Sequence, residues 1–352
     1  MATYHSSGAG GTLPRLPSGG IDGLNPGPVI AGPTAFGSQG DGAGGTLPSL
    51  PSSGPTIDAG STDADPQPVL LDLDNSSAGT VTVPGNPYQP YISPAATVVQ
   101  PAPDYATINV QGDSSITNLD VGSLTDGPAE ADVNLGQGAT LTATFFVGNG
   151  ATLNVSGDDS SSLDVANSPA PSEVRGGHVV VDAPVAGQGT ISMDGPYVPG
   201  LLIPLPSGFI PGSSFLEVGS SVGSDVTIAI RAGDLQIDNP MAFAGRIDLV
   251  ASPPPMLPIY VSPAGPQSVT LEGVAATAYS FDDSSHTMTL FNGGDVVDQV
   301  GFTSDITASS FVPNGSSGPD NAISVAQTAS GVFLSHLPSS TSDSATLIPM
   351  QT

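Results

Sequence analysis

Residues 138–157 read GATLTATFFVGNGATLNVSG. Apolar or β-branched side chains alternate with small polar ones through ATLTATFFV, a Gly-Asn-Gly interrupts, and the alternation restarts in ATLNVS. A period of two is the pattern of a strand with one buried and one wet face, and Gly and Asn accept the backbone of the turn between two such strands. The same grammar runs outward in both directions. Upstream lie YATINV (105–110), SITNLDV (115–121) and ADVNL (131–135). Downstream lie SSLDVA (161–166), HVVVDAPV (178–185), GTISMDG (189–195), SFLEVG (214–219), DVTIAI (225–230), GDLQID (233–238) and FAGRIDLV (243–250). Earlier and sparser runs are PVLLDLD (68–74) and GTVTVPG (79–85).

Strands this short, joined by Gly, Asn, Asp and Ser and carrying only 5% aromatic residues, suit a stacked coil better than a sandwich built on large aromatic cores. The expected fold is all-β, with a parallel β-solenoid-like body; a β-sandwich is the alternative. A Pro-rich stretch, ASPPPMLPIYVSPAGP (251–266), then separates SVTLEG, ATAYSF, HTMTLF, VVDQVGF, AISVAQT and GVFLSHL. Asp, Asn and Gly at DDSS (282–285) and NGGD (292–295) predict hairpin turns, so this part reads as an antiparallel β-meander capping the solenoid.

The N-terminal region is different in kind. GAGGTLPRLPSGG (8–20) returns almost unchanged as GAGGTLPSLPSSG (42–54). Proline removes backbone donors and glycine adds chain entropy, so neither a helix nor a central strand is expected there; an extended, polyproline-like arm is. Leu13 and Leu16, and again Leu47 and Leu50, fall three apart, on one face of such an arm. The pairs are candidate subunit-docking residues, by which the arm would add to a neighbouring copy. The chain thus divides into an extended Gly/Pro-rich arm (1–66), a connecting segment with the first short strands (67–104), a solenoid-like domain (105–250), the Pro-rich break (251–266), the meander or cap (267–337) and a tail (338–352).

Charge narrows the partners. Arg15, Arg175, Arg231 and Arg246 are the only Lys or Arg residues against 32 acidic ones, for a formal net charge of −28. Phosphate contacts need cations, so nucleic acid and anionic lipid are excluded as partners. Carboxylate repulsion weakens towards acid pH, so self-association in acid or in calcium is expected. The chain has no Cys, which removes disulfides, thiol nucleophiles and zinc-thiolate sites. No apolar run spans a membrane; VPGLLIPLPSGFIPG (198–212) is cut by prolines. MATYHSSGAGG has neither a basic n-region nor an apolar h-region, so export without a cleavable signal peptide is expected.

Two stretches carry a resemblance. GATLTATFFVGNGATLNVSG (138–157) resembles the strand-repeat segments of bacterial autotransporter-like and adhesin-like surface proteins. NPMAFAGRIDL (239–249), with VTLEGVAATAYSFDDSSHTMTLFNGGDVVDQVGF (269–302), is similar to the terminal unit of large secreted β-strand-repeat proteins of alphaproteobacteria. The resemblance implies an extracellular or cell-surface location, a β-solenoid, and adhesive, biofilm or structural roles without catalysis. The chain departs from that family in being short, in carrying the Gly/Pro arm and in its Pro-rich insert.

Motifs for chemistry are thin. Asp72, Asp74, Asp158, Asp159, Asp164, Asp282 and Asp283 lie in turn-like clusters with the oxygen ligands calcium takes, yet no EF-hand or Gly/Asp repeat loop is complete. They are candidate weak calcium ligands, with solubilising charge as the plain alternative. Gly219-Ser220-Ser221-Val222-Gly223 has the form of a nucleophile elbow but is followed by a strand and not a helix. Arg175 and His178, with Asp158 and Asp159 before them, are the one set a β-helical polysaccharide-degrading enzyme could use. The expectation is an extracellular structural protein that self-associates into a surface fibre or biofilm matrix element, and is not an enzyme. The rivals are a glycan- or surface-binding adhesin module, with Tyr88, Tyr91, Tyr105 and Tyr260 as the aromatics to contact extracellular polysaccharide, and, more remotely, the degrading enzyme.

Overall fold

The structure, a computed structural model, describes residues 57–58, 69–85, 104–123, 128–195, 213–249, 267–312, 323–336 and 346–347. Successive strands alternate between two large sheets, here I and II, and most stack in parallel on the previous strand of the same sheet. This is the path of a β-solenoid, and its two faces enclose one core. In chain order the coils are β1 (Ile57–Asp58) and β2 (Val69–Asp74); β3 (Ser77–Val83) and β4 (Asp104–Gln111); β5 (Asp113–Val121) and β6 (Ala129–Leu135); β7 (Thr140–Val147) and β8 (Thr152–Ser156). The first of each pair lies in sheet I, the second in sheet II.

After β7 the cross-section changes. The first half of β7 pairs with β9 (Ser162–Val165) and its second half with β10 (Ser172–Arg175). Pro169 and Pro171 stand between the two pieces, and proline cannot donate to a ladder. Where the strand breaks, the buried hydroxyl of Ser172 accepts the N–H of Phe145 at 3.2 Å. β11 (His178–Val181) then returns to sheet II, and the next coil repeats the division as β12 (Val185–Gly187) and β13 (Thr190–Asp194). Bridges Val185 to Val222 and Val222 to Phe243 carry the new face onward. A flattened coil has become three-sided. Its new corner needs glycine: Gly187 has φ +90°, and a Cβ there would stand 2.4 Å from the carbonyl oxygen of Val165.

The remaining coils are β14 (Phe215–Val218), β15 (Thr227–Ile230), β16 (Gly233–Ile237), β17 (Arg246–Leu249) and β18 (Gln267–Glu272). β16 and β18 pair in parallel across the whole of 251–266. The sheets thus run on past the Pro-rich stretch, which lies in sequence between β17 of sheet I and β18 of sheet II. The solenoid likewise begins before residue 105, with β2 to β4 already in register. Segments 86–103, 124–127, 196–212 and 250–266 all follow a sheet I strand and precede a sheet II strand, so the long insertions leave from the same corner of successive coils.

In-register stacking lines up the core. One column runs Leu71, Ile108, Val133, Val155, Val181, Val218, Ile237 and Leu271 through sheet II, and another Val83, Val121, Val147, Val174, Met193, Ile230 and Leu249 through sheet I. Each fully buried Val, Leu or Ile contributes about 1.5–3 kcal/mol, and no single coil can bury its face alone.

The C-terminal part is the expected antiparallel meander. β19 (Ala278–Asp282), β20 (Thr287–Asn292) and β21 (Asp295–Phe302) extend sheet I, with positive φ at His286, Gly293 and Gly294 in the two turns. β22 (Phe311–Val312), β23 (Ile323–Gln327) and β24 (Gly331–His336) extend sheet II, and β25 (Thr346–Leu347) adds to β23. Phe281, Phe302 and Phe311 meet with ring centroids 5.0–5.9 Å apart and close the end of the core; Tyr279 packs on Phe311. The arm residues Leu13, Leu16, Leu47 and Leu50 lie outside the described residues.

Candidate functional site

The outer face of sheet II is the most ordered polar surface of the molecule, because parallel register stacks equivalent side chains one strand spacing apart. In the first coils amides bridge carboxylates. Asn109 Nδ2 donates to Asp72 Oδ1 at 2.9 Å, Asn134 Nδ2 to Asn109 Oδ1 at 3.0 Å, and Ser156 Oγ to Asn134 Oδ1 at 3.0 Å. A parallel column has Asn154 Nδ2 donating to Asp132 Oδ1 at 2.8 Å, with the Tyr105 hydroxyl on the same carboxylate. Further along, amides give way to acids: Asp182, Glu217, Asp238 and Glu272 stand on neighbouring strands. Burial, and then the charges of Asp238 and Asp182, hold the Glu217 carboxyl above its ordinary range. Arginine does not occur on this face among the described residues.

Cations gather instead along sheet I. Arg175 Nε lies 3.1 Å from Glu173 Oε2, and its Nη2 donates to Glu173 Oε1 at 3.3 Å. Asp194, opposite Arg175 on the next strand, also meets Arg231 at 3.3 Å. These pairs are partly exposed and contribute about 0–1 kcal/mol each. Arg246 lies one coil on, beside Thr227 of β15.

The candidate calcium ligands are dispersed. Asp72 is in the amide ladder, and Asp74 accepts from Asn75 Nδ2 at 2.9 Å. Asp158 accepts from the Ser160 N–H and hydroxyl and from the Ser161 N–H, which hold its carboxyl below the usual range; Asp159 beside it is exposed. Asp164 accepts from Ser162 Oγ at 3.1 Å. Asp282 is held low by the hydroxyl and N–H of Ser284 and the hydroxyl of Ser285, and Asp283 accepts from the Ala308 N–H at 2.6 Å. Asp74, Asp158, Asp164 and Asp282 thus accept from residues within three positions of themselves, and among the described residues no three acidic or histidine side chains converge on a metal-sized site.

The set Arg175, His178, Asp158 and Asp159 is not brought together either. Arg175 ends a sheet I strand, and His178 begins the sheet II strand that follows it. Asp158 and Asp159 sit at the opposite corner, where β8 leaves sheet II for β9. His178 packs edge-on against Phe215, centroids 4.5 Å apart, and burial lowers its pKa. Ser220 to Gly223 form a turn with Val222 bridged into the third face and no helix after it.

Two features were not anticipated from sequence. Asp298 of β21 points into the cap at 6% exposure, and its Oδ2 has no hydrogen-bond partner. Arg246 lines a recess of about 210 Å³ between the last coil and the cap. Among the described residues no helix is long and apolar enough to cross a membrane. No family model, curated protein or solved structure matches the chain.

Proposed function

We propose that the protein is a non-catalytic, extracellular structural element that self-associates through its N-terminal end, with the arm of one copy docking on the next. The observation that carries this reading is the inequality of the two ends. At the C-terminal end the aromatic cluster closes the core, and the antiparallel strands β19 to β21 and β23 to β24 end the run of stacked coils. At the N-terminal end, β2 has no partner on its outer side among the described residues, and Leu70 on it is 45% exposed. An unpaired parallel edge is a template for an added strand. The residues leading into that end hold the twin Leu-Pro phrases, and the resemblance to secreted strand-repeat proteins points the same way.

Negative-stain electron microscopy of the full chain and of a chain lacking residues 2–56, at pH 7 and pH 4, tests it. Fibres or regular oligomers are expected from the full chain and dispersed particles from the truncated one. Assembly by the truncated chain, or none by the full chain, would overturn the proposal.

A further inference from the structure

The recess beside Arg246 lies where the third face and the last solenoid coil meet the cap. Its floor is backbone, at Gly245 and Gly301, and its walls are Ser224 on one side and Ser285, Thr287 and Gln299 on the other. Arg246 opens β17 directly opposite Gly301 of β21. A Cβ on Gly301 would stand 3.9 Å from Arg246 Cγ, so the arginine stem runs over a residue with no side chain. The guanidinium is anchored from one side, Nη1 donating to the Phe302 carbonyl at 3.3 Å.

What remains free is specific. Arg175 turns its Nε and Nη2 towards Glu173, and Arg231 meets Asp194. Among the described residues no carboxylate lies within 4.0 Å of Arg246, so its guanidinium lines the recess without an anion, with its Nε and Nη2 edge not used in the bond to Phe302. That edge matches a carboxylate in bidentate geometry. The walls ask for the opposite kind of group. Ser285 Oγ donates to Asp282, Thr287 Oγ1 to the Ser285 carbonyl, and Gln299 Nε2 to Thr289 Oγ1. With those hydrogens committed, the two hydroxyl oxygens are left as acceptors, and Gln299 keeps its carbonyl and its second N–H. A fitting ligand therefore brings one carboxylate for Arg246 and hydroxyl donors for the walls, in a volume that admits one small ring.

We infer that this recess binds a sugar acid, a uronate unit, through Arg246. The inference does not depend on assembly and would hold for a dispersed monomer. One charge-assisted bidentate contact with a few neutral hydrogen bonds in an open recess gives dissociation constants in the roughly millimolar range.

The test is a titration of the isotope-labelled full chain with glucuronate, glucose and acetate, following the amides of Gly245, Gly301 and Phe302 by NMR. Glucuronate is expected to shift these amides and to bind at least about tenfold more tightly than either glucose or acetate. Arg246→Gln should abolish the shift, and Arg246→Lys should weaken binding because an ammonium lacks the fork. Unchanged thermal melting of both variants would show that the cap is intact, and Arg231→Gln should bind as the parent does. Equal binding by Arg246→Gln, equal binding of glucose or acetate, or no shift with glucuronate at about 50 mM would overturn the assignment.

Discussion

Replacing Asp298 by Asn should stabilise the protein at neutral pH and do nothing in acid. Asp298 lies on β21 opposite Leu290, on the same side of the strand as Val300 and Phe302, which are buried in the cap. Its Oδ1 accepts the Gln299 N–H at 2.8 Å, but Oδ2 is buried without a partner. Burial raises its pKa, against a smaller lowering by the Gln299 N–H. A carboxyl whose folded pKa lies above its unfolded one contributes stability fully below the unfolded pKa and loses it as pH rises through the folded value. At pH 7 the native state thus carries a charge it would hold better as the acid. An unsatisfied buried polar group costs about 1–3 kcal/mol, and more when charged, whereas the amide keeps the Oδ1 acceptor and brings no charge. Asp298→Asn should therefore raise stability at pH 7 by about 1–3 kcal/mol, and the gain should shrink with falling pH and vanish at about pH 3, below the unfolded aspartate pKa. Urea denaturation followed by circular dichroism at both pH values measures this, with hydrogen exchange on residues 287–302 locating the change. An equal loss of stability at both pH values would refute the reasoning, because it would mean that the carboxylate makes a native interaction which the amide cannot.

Phe302→Ala should cost about 3–5 kcal/mol and act locally, since each coil contacts only its neighbours; exchange protection should fall in β19 to β21 and persist in β4 to β8. Gly187→Ala should cost at least about 1 kcal/mol, because the new methyl meets the Val165 carbonyl at a positive φ, and a lowered urea midpoint reads it. Leu70→Lys should leave stability within about 0.5 kcal/mol, as exposed substitutions do, while preventing assembly in electron micrographs by charging the open edge of β2.

Local pattern made strands legible and left their stacking hidden. ATLTATFFV and ATLNVS became β7 and β8 with the expected turn at Gly148 to Gly150, and the turns at 283–286 and 293–294 formed hairpins. These are decided within ten residues, by alternation and by the few side chains that tolerate a positive φ. Which strands stack is decided by coil length, and coil length is irregular: the steps from Val155 to Val181, Val218 and Ile237 are all unequal, though the four are adjacent in one column. An added segment between a sheet I strand and the next sheet II strand changes the spacing without disturbing the stack, as β16 and β18 pair in parallel on either side of 251–266. The ladder of Arg175, Asp194 and Arg231 was hidden for the same reason, and so was the meeting of Arg246 with Gly301 across a parallel pair. Pro169 and Pro171 were visible, but their effect of dividing one face into two depends on β7 being long enough to pair with both pieces.

Parallel register also sets how like charges are handled from coil to coil. In a solenoid, a residue type repeated on successive coils meets its own kind, so like charges face one another unless the sequence alternates them. Sheet I alternates them at Arg175, Asp194 and Arg231. Early sheet II interleaves Asn109 and Asn134 after Asp72, and these amides donate to the acid and to one another. In late sheet II Asp182, Gly219, Asp238 and Glu272 follow one another in a column beside Glu217, and Gln236, opposite Glu217, donates its amide to Asp238 at 2.9 Å. Burial, and then the charges of Asp238 and Asp182, raise the pKa of Glu217, and burial raises those of Asp120, Asp248 and Asp298, so acid-stabilised groups lie in an early coil as well as in the later coils and the cap. Asp158 and Asp282, held low in their turns, lose their contribution only as pH falls through values below those of ordinary carboxylates. As the pH falls, the raised groups take up protons before the turn carboxylates do, so the cost of burying their charge is relieved while the turn contacts of Asp158 and Asp282 persist.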